Sequence, residues 1–163
     1  MPPAARVTDS VIHPLPPLLG PGPGSVTTLI GSLPAWRGIP LAAAAAVQAA
    51  QKAADIAMKV LESTTKAAVG PAAPIAFAAE QAGKAALLSA MTSLITSAAG
   101  GADIHMCATP VPVPPHGPGV VINGSATVLI DNLPAARLGD TVLEALGGPN
   151  KIVKGEMTVI IGG

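Results

Sequence analysis

Charge and aromatic rings are what this chain has least of. Only 11% of its 163 residues are charged, and nine Lys+Arg balance nine Asp+Glu. A neutral, sparsely charged chain offers no electrostatic footprint for nucleic acid. It also lacks the basic cluster that holds proteins to anionic membrane surfaces. Trp36 and Phe77 are its two aromatic residues. A core built on large rings is therefore excluded for most of the chain. A single cysteine, Cys107, excludes an internal disulfide framework and leaves that thiol either inert or a ligand. The N-terminal residues show no charged segment leading into an apolar one, so no Sec signal peptide is expected.

Glycine and proline are abundant instead, at 18 each, beside a 50% hydrophobic fraction. That much Gly and Pro belongs with low-complexity chains. That much Val, Ile and Leu does not. Many short strands joined by tight turns satisfy both, with one Ala-rich segment raising the apolar fraction.

A short word recurs. Pro3-Ala4-Ala5-Arg6 is followed by Asp9, and Pro134-Ala135-Ala136-Arg137 by Asp140. A third copy, Pro34-Ala35-Trp36-Arg37, lacks its nearby Asp, which the sequence places at Asp103 beyond an insertion. Strand-like runs rich in Thr, Val, Leu and Ile occur at 26–30, 126–132 and 157–163. Asn123-Gly124 is predicted as a tight turn. Without residues 41–99, three units of similar size remain. Units this small cannot each bury a core, so they must pack on one another.

Residues 41–99 differ in kind. Gln48, Gln51, Lys52, Asp55, Lys59, Glu62, Ser63 and Lys66 recur every three or four positions, the mark of one polar helix face. Val47, Ala50, Ala54, Ala57, Val60 and Leu61 occupy the other. Leu87, Leu88, Met91, Leu94 and Ile95 keep helical spacing in the second half. Gly70-Pro71 and Gly100-Gly101 are stops. The pattern predicts an antiparallel hairpin of helices over 41–69 and 74–98. A spanning helix needs about 20 apolar residues with few charges. The first helix is too charged for that, and the uncharged run at 85–102 is short and rich in Ser and Thr.

With its repeated Pro-Ala-Ala-Arg, the Asp that follows, His105-Met106-Cys107 and the later His116, the chain resembles PAAR-repeat proteins over 1–40 and 100–163. That family forms the pointed tip of the spike in type VI secretion and related contractile injection systems. The resemblance implies a mainly β fold: a small three-repeat conical β domain (1–40 and 100–163), here with an inserted Ala-rich helical hairpin (41–99). It implies a base that caps a trimeric VgrG-type spike protein, and a structural Zn²⁺ near the apex held by three His and one Cys. The chain has three His and one Cys, so His13, His105, Cys107 and His116 are the expected ligands. Spacing alone would make this a weak zinc signature; imidazole and thiolate suit a closed tetrahedral site. The implied function is a metal-stabilised, envelope-piercing tip, with effector or adaptor cargo on the hairpin. It would be cytoplasmic before assembly and delivered through the apparatus without a Sec signal. No nucleophile with a base, phosphate loop or paired carboxylate suggests an enzyme. The alternative is a membrane-active effector whose hairpin inserts into a target bilayer.

Overall fold

The structure, a computed structural model, describes residues 1–12, 18–110 and 115–162. The elements run β1 (Pro3–Ala4), β2 (Leu29–Ile30), β3 (Leu33–Pro34), α1 (Leu41–Ala67), α2 (Ala72–Ala99), β4 (His105–Pro110), β5 (Pro115–Val121), β6 (Leu129–Ile130), β7 (Leu133–Pro134), β8 (Thr141–Glu144), β9 (Pro149–Lys151) and β10 (Glu156–Ile160). Helix accounts for 36% and strand for 28%, so the chain is mixed α and β rather than mainly β. The cause is the insertion, whose helices of 27 and 28 residues outweigh many very short strands.

The three copies of the repeated word meet in a closed ring. The Ala5 N–H donates to Ala136 O, the Ala136 N–H to Trp36 O, and the Trp36 N–H to Ala5 O, each at 2.9 Å. These are the middle residues of the three words. Beside them, every Arg closes on its Asp in the same way. The backbone N–H of Arg6, Arg37 and Arg137 donates at 2.8 Å to Oδ2 of Asp9, Asp103 and Asp140. The guanidinium Nη2 reaches the other oxygen at 3.2, 2.9 and 3.1 Å. This bidentate pairing, buried at its acidic end, fixes the turn after each word.

Asp103 thus stands where Asp9 and Asp140 stand, despite its 66-residue separation from Arg37. In the uninterrupted copies the residue before the Asp holds a positive φ, 71° at Thr8 and 89° at Gly139. In the second copy residues 39–102 fill that slot. The closing bond survives: the Asp103 N–H donates to Arg37 O at 3.2 Å, as Asp9 and Asp140 do to Arg6 and Arg137 at 3.1 Å. The ends of the insertion are therefore held at the width of one tight turn.

Short hairpins lie at one end of the ring. β2 pairs β3 around Gly31-Ser32, and β6 pairs β7 around Asp131-Asn132. All four turn residues have φ between 50° and 68°, the two-residue turn that matches strand twist. The tight turn is therefore at Asp131-Asn132, and Asn123-Gly124 is a bend instead. Val120 and Val121 pair with β8, so they do not turn back onto the following run. The third hairpin is split between the chain ends, β1 with β10. Ile30, Ile130 and Ile161 point inward onto Ala4, Ala35 and Ala135. Their neighbours Leu29, Leu129 and Ile160 face outward, 65%, 58% and 48% exposed, with Val26 and Met157 beside them. This end is an apolar face with a branched aliphatic residue, Leu29, Leu129 or Ile160, at each of three equivalent places opposite Pro34, Pro134 and Pro3.

One layer further in, fully buried Trp36 lies with Ala5, Ala136, Val11, Leu19, Val121, Val142 and Ile152. One large ring and two small residues fill a layer that three equal side chains would have filled. Room for the indole comes from Gly22, where a Cβ would lie 3.0 Å from its Cη2.

The helices form the expected hairpin, ending at Gly100 in the left-handed conformation. α1 and α2 bury Ala44, Val47, Ala54, Met91, Ile95 and Ala99 against Val120, Ile122, Leu133, Leu143 and Ala145 of the β domain. Each large apolar side chain covered this way contributes about 1.5–3 kcal/mol. The hairpin's partner is thus the β domain itself. Its direction follows from its neighbours. Gln48 and Gln51 share a cleft with Ile122 and Thr141, while Asp55 to Glu62 stand beside Gly147-Gly148. α1 continues beyond Glu62 to Ala67, a rise of about 7.5 Å at 1.5 Å per residue. Three polar residues are buried within it: Gln51, Glu80 and Lys84. Lys84 is wholly enclosed, 2.8 Å from Glu62 and 2.7 Å from Glu80, and clasps the two helices. No helix among the described residues is long and apolar enough to cross a membrane.

Candidate metal centre

Within the β domain, β4, β5 and β8 form adjacent strands of one sheet. His105 and Cys107 are two apart on β4, so both side chains leave the same face. Register then builds a row across the sheet: His105 opposes Gly119, and Gly119 opposes Glu144. The middle residue has no side chain. A Cβ on Gly119 would come within 2.8 Å of Glu144 Cγ, so glycine is what lets the flanking side chains meet above it.

They do meet. A ring nitrogen of His105, the Cys107 sulfur and a Glu144 oxygen lie within 4.8 Å of one another, all buried. His105 and Glu144 are 0% exposed. His105 Nδ1 is 3.0 Å from Leu18 O. A carbonyl accepts only, so Nδ1 carries a proton, and in the neutral ring Nε2 presents its lone pair. That nitrogen has no hydrogen-bond partner among the described residues, although Glu144 Oε1 is 3.3 Å away. An imidazole held at one nitrogen by a backbone carbonyl, with the other left open, is the usual preparation of a metal-ligating histidine. Glu144 Oε2 lies 2.6 Å from His116 Nδ1. The far edge of the His116 ring rests on Gly147, at φ 94°, where a Cβ would overlap Nε2 at 2.6 Å.

The donor set fits a divalent ion of the zinc class, which takes Cys sulfur, His nitrogen and carboxylate oxygen alike. His105, Cys107 and Glu144 would hold it, and such an ion would cross-link β4 to β8. Of the residues expected from sequence, His105 and Cys107 are brought together. His116 reaches the cluster through Glu144 and stands outside the close trio. His13 lies outside the described residues. Glu144 was not anticipated from sequence. The Leu143-Glu144-Ala145 setting in a short apolar strand was the available signal, because a carboxylate there must be turned outward or given a partner.

The chain thus combines a hydrogen-bonded ring of three Pro-Ala-x-Arg words with a buried cluster of side chains that could hold a metal ion. The family described as PAAR motif matches residues 113–163, about a third of the chain. The match supports a PAAR-repeat reading of the chain and relates the matched segment to the spike tips of type VI secretion. A search of curated proteins found no match.

Proposed function

We propose that this chain is the metal-stabilised tip of a contractile injection spike of the type VI class, seated on a trimeric VgrG-type protein. The observation that carries this reading is the apolar face made by Leu29, Leu129 and Ile160, with Val26 and Met157 around it. Exposed apolar faces of this kind mark interaction sites. A single chain that repeats one surface three times can sit on a threefold partner without a symmetry mismatch. The three repeats form the cone, the face is its base, and the metal end is its point. A structural Zn²⁺ holds the point together; the family's expected donors are His13, His105, Cys107 and His116, and of these the described residues bring His105 and Cys107 together, with Glu144 beside them. A small, aromatic-poor domain gains folding energy from such a cross-link. The proposal assigns no catalysis to the site.

The hairpin packs on Val120, Ile122 and Leu143 and reaches Gly147-Gly148 beside His116, while Leu29, Leu129 and Ile160 stay exposed. This placement favours cargo or an adaptor carried forward on the hairpin over a second contact with the spike. In that role the protein is cytoplasmic until assembly and leaves through the apparatus. The test is co-elution with a folded trimeric spike protein. Leu29→Asp with Leu129→Asp should abolish association, while Ile56→Asp on the exposed flank of α1 should leave it intact. Association that survives the base substitutions would overturn the docking assignment.

A further inference from the structure

We infer that Glu144 is itself a metal ligand, through Oε1, and that His116 is a positioning residue which holds its other oxygen. The inference rests on the metal reading above and departs from a three-histidine, one-cysteine set. Geometry supports it first. Glu144, and not His116, shares the close trio with His105 and Cys107. His116 Nδ1 is 2.6 Å from Glu144 Oε2, a distance for one strong hydrogen bond. Oε1 faces the open nitrogen of His105 at 3.3 Å. An ion bound between His105 and Cys107 thus meets Oε1, while Oε2 already belongs to His116. The opposite edge of the His116 ring is against Gly147, which fixes the plane from behind.

Charge supports it second. A divalent ion with three imidazoles and one thiolate keeps a net positive charge. In a site where His105 and Glu144 are fully buried, net charge is costly. One thiolate and one carboxylate neutralise the ion. The carboxylate also shifts preference toward Zn²⁺ and Co²⁺ and away from Cu⁺, which favours soft sulfur donors.

Cobalt provides the test, because Co²⁺ reports both coordination and affinity by absorbance. The full chain is stripped, titrated with Co²⁺, and then competed with Zn²⁺. Trp36, the one tryptophan and remote in sequence from every candidate ligand, reports by its emission whether each variant is folded. Glu144→Gln should change the visible cobalt bands and weaken binding at least about 100-fold, beyond the ~10–100-fold loss typical of an orienting partner. His116→Gln should keep the wild-type band shape and fall within that smaller range. Cys107→Ser should remove the sulfur charge-transfer band. If His116→Gln alters the bands while Glu144→Gln leaves spectrum and affinity unchanged, the proposal is overturned and the metal reading stands. If folded wild-type chain binds neither metal, the metal reading fails and takes this proposal with it.

Discussion

Replacing Trp36 with Ala removes the one large side chain from the layer that the three words build around their hydrogen-bonded ring. Trp36 is 0% exposed, and its equivalents Ala5 and Ala136 are too small to close the gap. The surrounding Val121, Val142 and Ile152 belong to paired or bridged backbone that cannot collapse inward freely. Truncations of this kind cost about 3–5 kcal/mol. For a chain of this size, each kcal/mol lowers the melting temperature by about 2–4 °C. The expected drop is therefore on the order of 6–20 °C, read by far-UV circular dichroism because the variant has no tryptophan left. Gly22→Ala gives an independent check, since its Cβ would meet Trp36 Cη2 at 3.0 Å and Ile104 O at 3.1 Å. It should destabilise by about 1–3 kcal/mol alone. It should cost less in the Trp36→Ala background, because the two residues share one space. A Trp36→Ala melt within about 2 °C of wild type, where 3–5 kcal/mol was expected, would refute the layered packing.

Three further outcomes follow from the same geometry. Lys84→Ala leaves Glu62 and Glu80 facing one another across the hairpin without their cation, so amides around 60–66 and 76–84 should lose hydrogen-exchange protection, and Lys84→Met with Glu80→Gln should restore part of it. Hydrogen bonds from Thr27 and Ser25, helped by Arg37, hold Asp131 below the usual carboxylate range, and Thr158 and Arg6 do the same for Glu156. Their folded pKa values are depressed, so this stability is fully present above the ordinary values of 3.8 and 4.5 and is lost as pH falls through the folded ones. Asp131→Asn with Glu156→Gln should flatten the acid limb of melting temperature against pH, whereas burial pushes Asp140 the opposite way and Asp140→Asn should not. Excising residues 39–102 and joining Gly38 to Asp103 through one Gly should recreate the turn seen at Gly139. Metal content should survive, and the melt should fall because Val120, Ile122 and Leu143 become uncovered.

Much of the frame was legible because it is written in short-range chemistry. Pro and Gly bounded the units, helical spacing gave the hairpin, and Gly100 ended it where expected. What stayed hidden depends on pairing between distant segments. The turn at Asp131-Asn132 lost to Asn123-Gly124 on local preference, although β5 pairing with β8 denies the latter its return strand. Gln51 read as part of a polar helix face, yet two helices of small residues approach closely enough to bury it, together with Glu80 and Lys84. Glu144 was invisible for a similar reason. Three histidines and a cysteine seemed to complete a set, and only the row His105–Gly119–Glu144 shows which way the carboxylate turns. That the third hairpin joins the two chain ends, β1 with β10, is likewise a fact of topology that no local pattern records.

The most direct test of the tip assignment is the mass of its complex with a purified trimeric spike protein, measured by light scattering or native mass spectrometry. One chain per trimer, with binding lost when Leu29 and Leu129 become Asp, is the predicted result. Three chains per trimer, or a one-to-one complex that survives those substitutions and is lost on removal of the hairpin, would contradict it.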